Sequence, residues 1–168
     1  HTRQFAIAVV LGGFAATATA QPLTWQKVVN NGDTMPGSTA TFNSYSQPSV
    51  NAAGLIVFQG RASGSTVVHG IYGRDMLAAT PPFNITGMGT AVPPPNNTFY
   101  NGVLASFEAF PSVPRIDTSS PAMAVRGQSL PVYTYMLGAT ETRVGTSGVY
   151  ANPGGTLLTG ASLLGAVL

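Results

Sequence analysis

Asn51-Ala52-Ala53-Gly54-Leu55-Ile56-Val57-Phe58 is the stretch from which the rest of the chain takes its register. It reads as strand, turn, strand. Asn51 and Gly54 can adopt the left-handed backbone angles of a tight reversal, while Leu55 to Phe58 is bulky, β-prone and too short for an independent helix. Asn51, Gly54, Val57 and Phe58 are therefore expected to build a turn and a core. They carry no chemistry of their own. The surroundings of this stretch recur downstream, so the chain reads as an array of one repeated β unit.

The recurrence is carried by landmarks in a common order. A Gly-x-x-apolar-Pro signal ends in Met35-Pro36, returns as Gly89-Thr90-Ala91-Val92-Pro93, and is cut short as Gly165-Ala166-Val167-Leu168. Phe42-x-x-Tyr45 with Pro48-Ser49-Val50 answers to Phe107-x-x-Phe110 with Pro111-Ser112-Val113. Phe58-Gln59-Gly60-Arg61 answers to Val125-Arg126-Gly127-Gln128, and Gly70-Ile71-Tyr72 to Gly148-Val149-Tyr150.

Each unit divides into four expected strands joined by short loops, an antiparallel meander. The first has them near 48–51, 55–60, 68–74 and 76–80. The second has them near 112–116, 122–126, 147–151 and 156–159, with an added strand over 130–137. Residues 25–30 are expected to form an opening outer strand. The expected organisation is a signal peptide over 1–20, the opening strand and first unit over 21–88, and a second unit over 89–168 that ends at the start of a third. Tandem four-stranded meanders are the blades of a β-propeller, whose rings need about four to eight. The expected fold is thus all-β and β-propeller-like but incomplete, with a β-sandwich as the alternative.

Composition agrees with an exported all-β protein. Only 7% of residues are charged, far below the usual quarter, and 20 Gly with 13 Pro punctuate the chain with turns. Arg3, the apolar run from Phe5 to Phe14 and the small residues Ala15 to Ala20 form a secretory signal with an expected cut after Ala20. A run of ten apolar residues is short of the roughly 20 needed for a span, so no membrane span is expected in the mature chain. Near-neutral charge excludes the dense basic face that nucleic acid requires. With 0 Cys, no disulfide framework exists.

Asn51-x-x-Gly54-x-x-Val57-Phe58, with Pro36-Gly37 and Phe42 upstream and Gly70-Ile71-Tyr72 downstream, resembles the NxxGxxAF tandem-repeat proteins of bacteria. The resemblance implies export and attachment at the cell surface through one of several C-terminal anchors. It implies no catalytic residues. The second unit departs from the pattern: Asp117 takes the Asn place, Pro121 lies where the Gly should be near, and the spacing to Val125 is one residue longer.

The residue types that could carry chemistry have plainer uses. In the expected mature chain His69 has no Cys or second His to join it in the three- or four-ligand set that zinc wants. No metal or cofactor is expected. The isolated acids Asp33, Asp75, Glu108, Asp117 and Glu141 lack an evident catalytic pairing, and Glu108 or Asp117 is expected to pair with Arg115 or Arg126 instead. Asn30-Asn31-Gly32-Asp33 reads as a turn, as does Gly145-Thr146-Ser147-Gly148, and Pro93-Pro94-Pro95 as a stiff extended connector. Tyr133 and Tyr135 alternate with Val132, Thr134 and Met136 in the added strand, which places both rings on one face, suited to an extracellular glycan or protein partner. The expected function is a non-catalytic scaffold or binding module of the cell surface or exterior. Its alternative is the N-terminal part of a propeller-type polysaccharide hydrolase or lyase.

Overall fold

The structure, a computed structural model, describes residues 24–64, 67–97, 99–100, 102–130, 133–144 and 146–163. The expected signal peptide and the third Gly-x-x-apolar-Pro copy lie outside the described residues. Among the described residues fourteen strands follow in order: β1 Ser44–Tyr45, β2 Ser49–Val50, β3 Leu55–Ala62, β4 Val68–Asp75, β5 Phe83–Gly87, β6 Phe99–Tyr100, β7 Val103–Leu104, β8 Ser106–Ala109, β9 Arg115–Ile116, β10 Met123–Leu130, β11 Tyr133–Leu137, β12 Thr140–Val144, β13 Ser147–Ala151 and β14 Leu158–Ser162.

Ten of them form two five-stranded antiparallel sheets of one topology, and the other four form two separate hairpins, β6 with β7 and β11 with β12. In the first, β1 and β2 both pair with β3, followed by β4 and β5; in the second, β8 and β9 both pair with β10, followed by β13 and β14. The chain finishes the first sheet before it begins the second. Neither sheet closes on itself. Even their irregularities match: the register of β4 on β5 shifts between Ile71 and Tyr72, and that of β13 on β14 shifts between Val149 and Tyr150.

The repeat rests on an aromatic ring lying over glycine. Gly60 faces Gly70 across β3 and β4, and Gly127 faces Gly148 across β10 and β13. A side chain on Gly60 would run into Phe42, and a Cβ on Gly127 would lie 2.6 Å from Phe107 Cε1. The bare backbone lets each Phe pack edge-on to a Tyr: Phe42 on Tyr72 at 5.1 Å and 80°, Phe107 on Tyr150 at 4.7 Å and 83°. Such tilted pairs add roughly 0.5–1.5 kcal/mol beyond their burial. The lead-in to each Phe is also shared. Gly32 N donates to Phe42 O at 2.8 Å and Met35 N to Ala40 O at 2.9 Å, while Gly89 N donates to Phe107 O at 2.9 Å and Val92 N to Ala105 O at 3.1 Å. Met35 and Val92 are both buried beside their aromatic pairs.

Side chains alternate along each strand, so each sheet offers two faces. Phe58, Ala62 and Tyr72 of the first sheet pack with Met35 and Phe42. On the opposite face, Ile71 packs with Phe107, Phe110, Met123, Val125 and Tyr150 of the second sheet. The second sheet thus covers the first.

The structure departs from the sequence expectations at several places. The outer strand of the first unit is β5, because 76–80 is a turn in which Asp75 Oδ1 accepts from Leu77 N and Ala78 N, each at 2.9 Å. Residues 25–30 make no strand; Arg74 Nη1 holds them by donating to Lys27 O at 3.0 Å and Val28 O at 2.5 Å. Strand pairing matches Ser49-Val50 with Arg115-Ile116, so Pro48 answers to Pro114 and not to Pro111. The added strand is a hairpin, β11 with β12, and a second hairpin, β6 with β7, was not expected. Ser147-Gly148 opens β13, and Pro93 to Asn96 closes a turn in which Asn96 N donates to Pro93 O at 3.1 Å.

Candidate functional site

Asn51 works through its side chain. Its Oδ1 accepts from Ala53 N at 3.0 Å and Leu55 N at 2.9 Å, an Asx arrangement that closes the turn, while Gly54 takes the left-handed angle at φ +75°. Asn51 Nδ2 donates to Ser120 O of the second unit at 3.0 Å. Asp117 closes the equivalent turn by accepting at Oδ1 from Ser119 N at 3.0 Å and Ser120 N at 2.8 Å. Those bonds, led by the Ser119 amide, hold its carboxyl down at about 2. Val57 and Phe58 are buried on opposite faces of β3. The four residues around the quoted stretch thus serve the turn, the core and the contact between sheets.

The titratable groups are scattered. Among the described residues, Lys27 and Asp33 make the salt bridge, at 3.4 Å, and no three His, Asp or Glu side chains gather as a metal site. Asp117 is engaged by its turn and Arg126 Nε donates to Ser147 Oγ at 3.0 Å, so the expected carboxylate–arginine pair within the second unit does not form there. His69 is half-buried. Burial pushes its imidazole below the ordinary value, with Arg61 adding to the effect and Glu108 of the second sheet opposing it. Asn96, fully buried, donates from Nδ2 to Tyr150 Oη at 2.6 Å, which anchors the 93–97 loop over the second sheet.

What does converge is a pair of hairpins. Ser106, at the start of β8, pairs with Leu130, at the end of β10. The β6–β7 hairpin ends at Leu104 and the β11–β12 hairpin begins at Tyr133, so both leave the same end of the second sheet. The first sheet has shorter links there: 36–39 before Ala40, and 63–67 between β3 and β4. Phe99 is 71% exposed, and Val103, Leu104 and Met136 are also exposed. Apolar side chains gathered on projecting hairpins mark an interaction surface rather than a core. Tyr133 and Tyr135 stand opposite Val144 and Thr142 in this hairpin; the placement of their rings lies outside the described residues. The Phe99 hairpin was missed, although Asn101-Gly102 between Phe99-Tyr100 and Val103-Leu104 is a strong hairpin signal.

No helix among the described residues is long and apolar enough to cross a membrane. No family model matches the chain, and neither a curated protein nor a solved structure matches it.

Proposed function

We propose that this is an exported β-repeat protein that binds at the cell surface or outside the cell, without catalysing a reaction. The two sheets serve as successive blades of a propeller-like array, and the hairpins of the second blade form the contact surface for an extracellular glycan or protein. One observation carries this reading: two hairpins without a counterpart among the described residues of the first unit leave the same end of the second sheet with Phe99, Leu104 and Met136 exposed. Aromatic and apolar side chains on a rigid sheet suit sugar faces or apolar patches of a partner. The signal-like 1–20 segment and the likeness to the NxxGxxAF proteins support export.

The test is retention on a panel of insoluble matrix polysaccharides and on immobilised exported proteins, with release of reducing ends followed in parallel. Retention that falls at least about tenfold in Phe99→Ser/Met136→Ser, with no new reducing ends, is the expected result. Polysaccharide cleavage would replace the reading with the hydrolase or lyase alternative.

A further inference from the structure

The shared register lets each face of one sheet be compared with its counterpart in the other. With Gly60 matched to Gly127 and Gly70 to Gly148, Val57 corresponds to Ala124, Gln59 to Arg126 and Ile71 to Val149. In the first sheet this face is covered: Ile71 is 0% exposed, and Val57 and Gln59 are buried. In the second it is open, with Val149 43% exposed, Arg126 and Ala161 exposed and Ala124 half-buried.

The converse holds on the opposite faces. Phe110 is 0% exposed and Pro114, Ala105 and Met123 are buried where the second sheet meets the first, but their counterparts differ: Tyr45 is 41% exposed, Pro48 is exposed, and Ala40 and Ile56 are half-buried. Among the described residues the chain therefore makes one sheet-on-sheet interface, and the two unmatched halves of that interface lie at opposite ends of the stack.

We infer that these halves join between copies of the chain: the Val149 face of one copy receives the Tyr45–Pro48 face of the next, as the Ile71 face receives Phe110 and Pro114 within one chain. The contact is heterologous, head to tail. Both surfaces are shaped for it. A shallow depression lined by Arg126, Val149, Ala161 and Leu163 lies on one, and an apolar cleft lined by Val28, Tyr45, Pro48 and Phe58 on the other. Gln59 donates its side-chain amide to Phe110 O at 2.7 Å in the internal interface. Arg126, in the Gln59 position, retains a planar N–H donor for the corresponding carbonyl of Tyr45 in the second copy. Val28 packs on the first sheet's core as Ile85 packs on the second's. Residues 25–30 thus sit where β14 of the neighbouring copy would come; they are held there by the Arg74 bonds to Lys27 O and Val28 O and not by strand pairing, and the contact between copies would displace them.

With 0 Cys in the chain, introduced thiols report contacts without background. Intact chains carrying Val149→Cys or Tyr45→Cys, both at exposed positions, are mixed under mild oxidation. The expected product is the mixed disulfide, in several-fold excess over either homodisulfide. Val149→Asp should weaken self-association measured by light scattering at least about tenfold, with an unchanged melting temperature of the separate chain. Homodisulfides in equal or greater yield, or no crosslink at all, would overturn the inference, as would self-association unaffected by Val149→Asp.

Discussion

Gln59 of the first sheet donates its side-chain amide to the backbone oxygen of Phe110 in the second, at 2.7 Å and fully shielded from water. This bond ties the middle of one sheet to the strand entry of the other. Replacing Gln59 by Leu leaves a buried carbonyl unpaired, which costs about 1–3 kcal/mol. Arg126→Leu, at the corresponding exposed position, should change the stability of the separate chain by under about 0.5 kcal/mol. Urea unfolding of both variants checks the contrast; equal effects would show that the two faces are not differently buried.

Gly127→Ala should destabilise by about 1–3 kcal/mol, the usual range for overpacking. The new Cβ would lie 2.6 Å from Phe107 Cε1 and 2.9 Å from Tyr150 Cε2, two rings held by their mutual packing. Gly154→Ala is the control, since nothing lies within 4 Å of that position, and it should stay within about 0.5 kcal/mol of the parent. Thermal melts of the two variants separate them.

These glycines also show why much of the repeat was legible in the sequence. A ring packed on a strand needs a partner without a side chain, so Phe42 with Gly60 and Tyr72, and Phe107 with Gly127 and Tyr150, recur in one order. The failures have equally local causes. Residues 76–80 are apolar enough to pass for a strand, but Asp75 caps a turn there and the strand begins only after Pro81-Pro82. Residues 25–30 have strand-like composition and, among the described residues, no neighbouring strand to bond with. The register of Pro48 was misjudged because Pro111 and Pro114 both follow Phe110, and only pairing with β10 decides between them. The hairpin surface is legible from two signals, the alternation of Tyr133 and Tyr135 and the Asn101-Gly102 turn, of which the expectation uses only the first.

Gly54→Val combines two penalties. The residue sits at φ +75°, which costs an L side chain about 1–2 kcal/mol, and its Cβ would lie 2.9 Å from Leu77 Cγ. A clear fall in melting temperature is expected, and Gly54→Asn should recover part of it because Asn tolerates the left-handed region. An unchanged melting temperature for Gly54→Val would contradict the turn geometry.

Acid should act on the Asp117 turn and not on the Asn51 turn. Hydrogen bonds depress the Asp117 carboxyl to about 2 in the folded chain, below its ordinary value of 3.8. A depressed acid contributes stability that is present in full above the unfolded value and is lost as pH falls through about 2. Asp117→Asn keeps an acceptor for the Ser119 and Ser120 amides and removes the titration. Any stability advantage of the parent over this variant should therefore shrink as pH falls from about 4 to about 2. Paired melts across that window read it directly; a constant offset would contradict the hydrogen-bonded turn.

The central claim is that the second sheet covers the Ile71 face of the first while its own equivalent face stays open. Isotope-edited NOE measurements on Ile and Val methyl groups in dilute solution test it most directly. The account predicts cross-peaks from the Ile71 and Ile85 methyls to the rings of Phe107, Phe110 or Tyr150, and none from Val149 to any aromatic ring of the first sheet. Absence of the Ile71 contacts in a chain whose β3–β4 pairing is intact would contradict it.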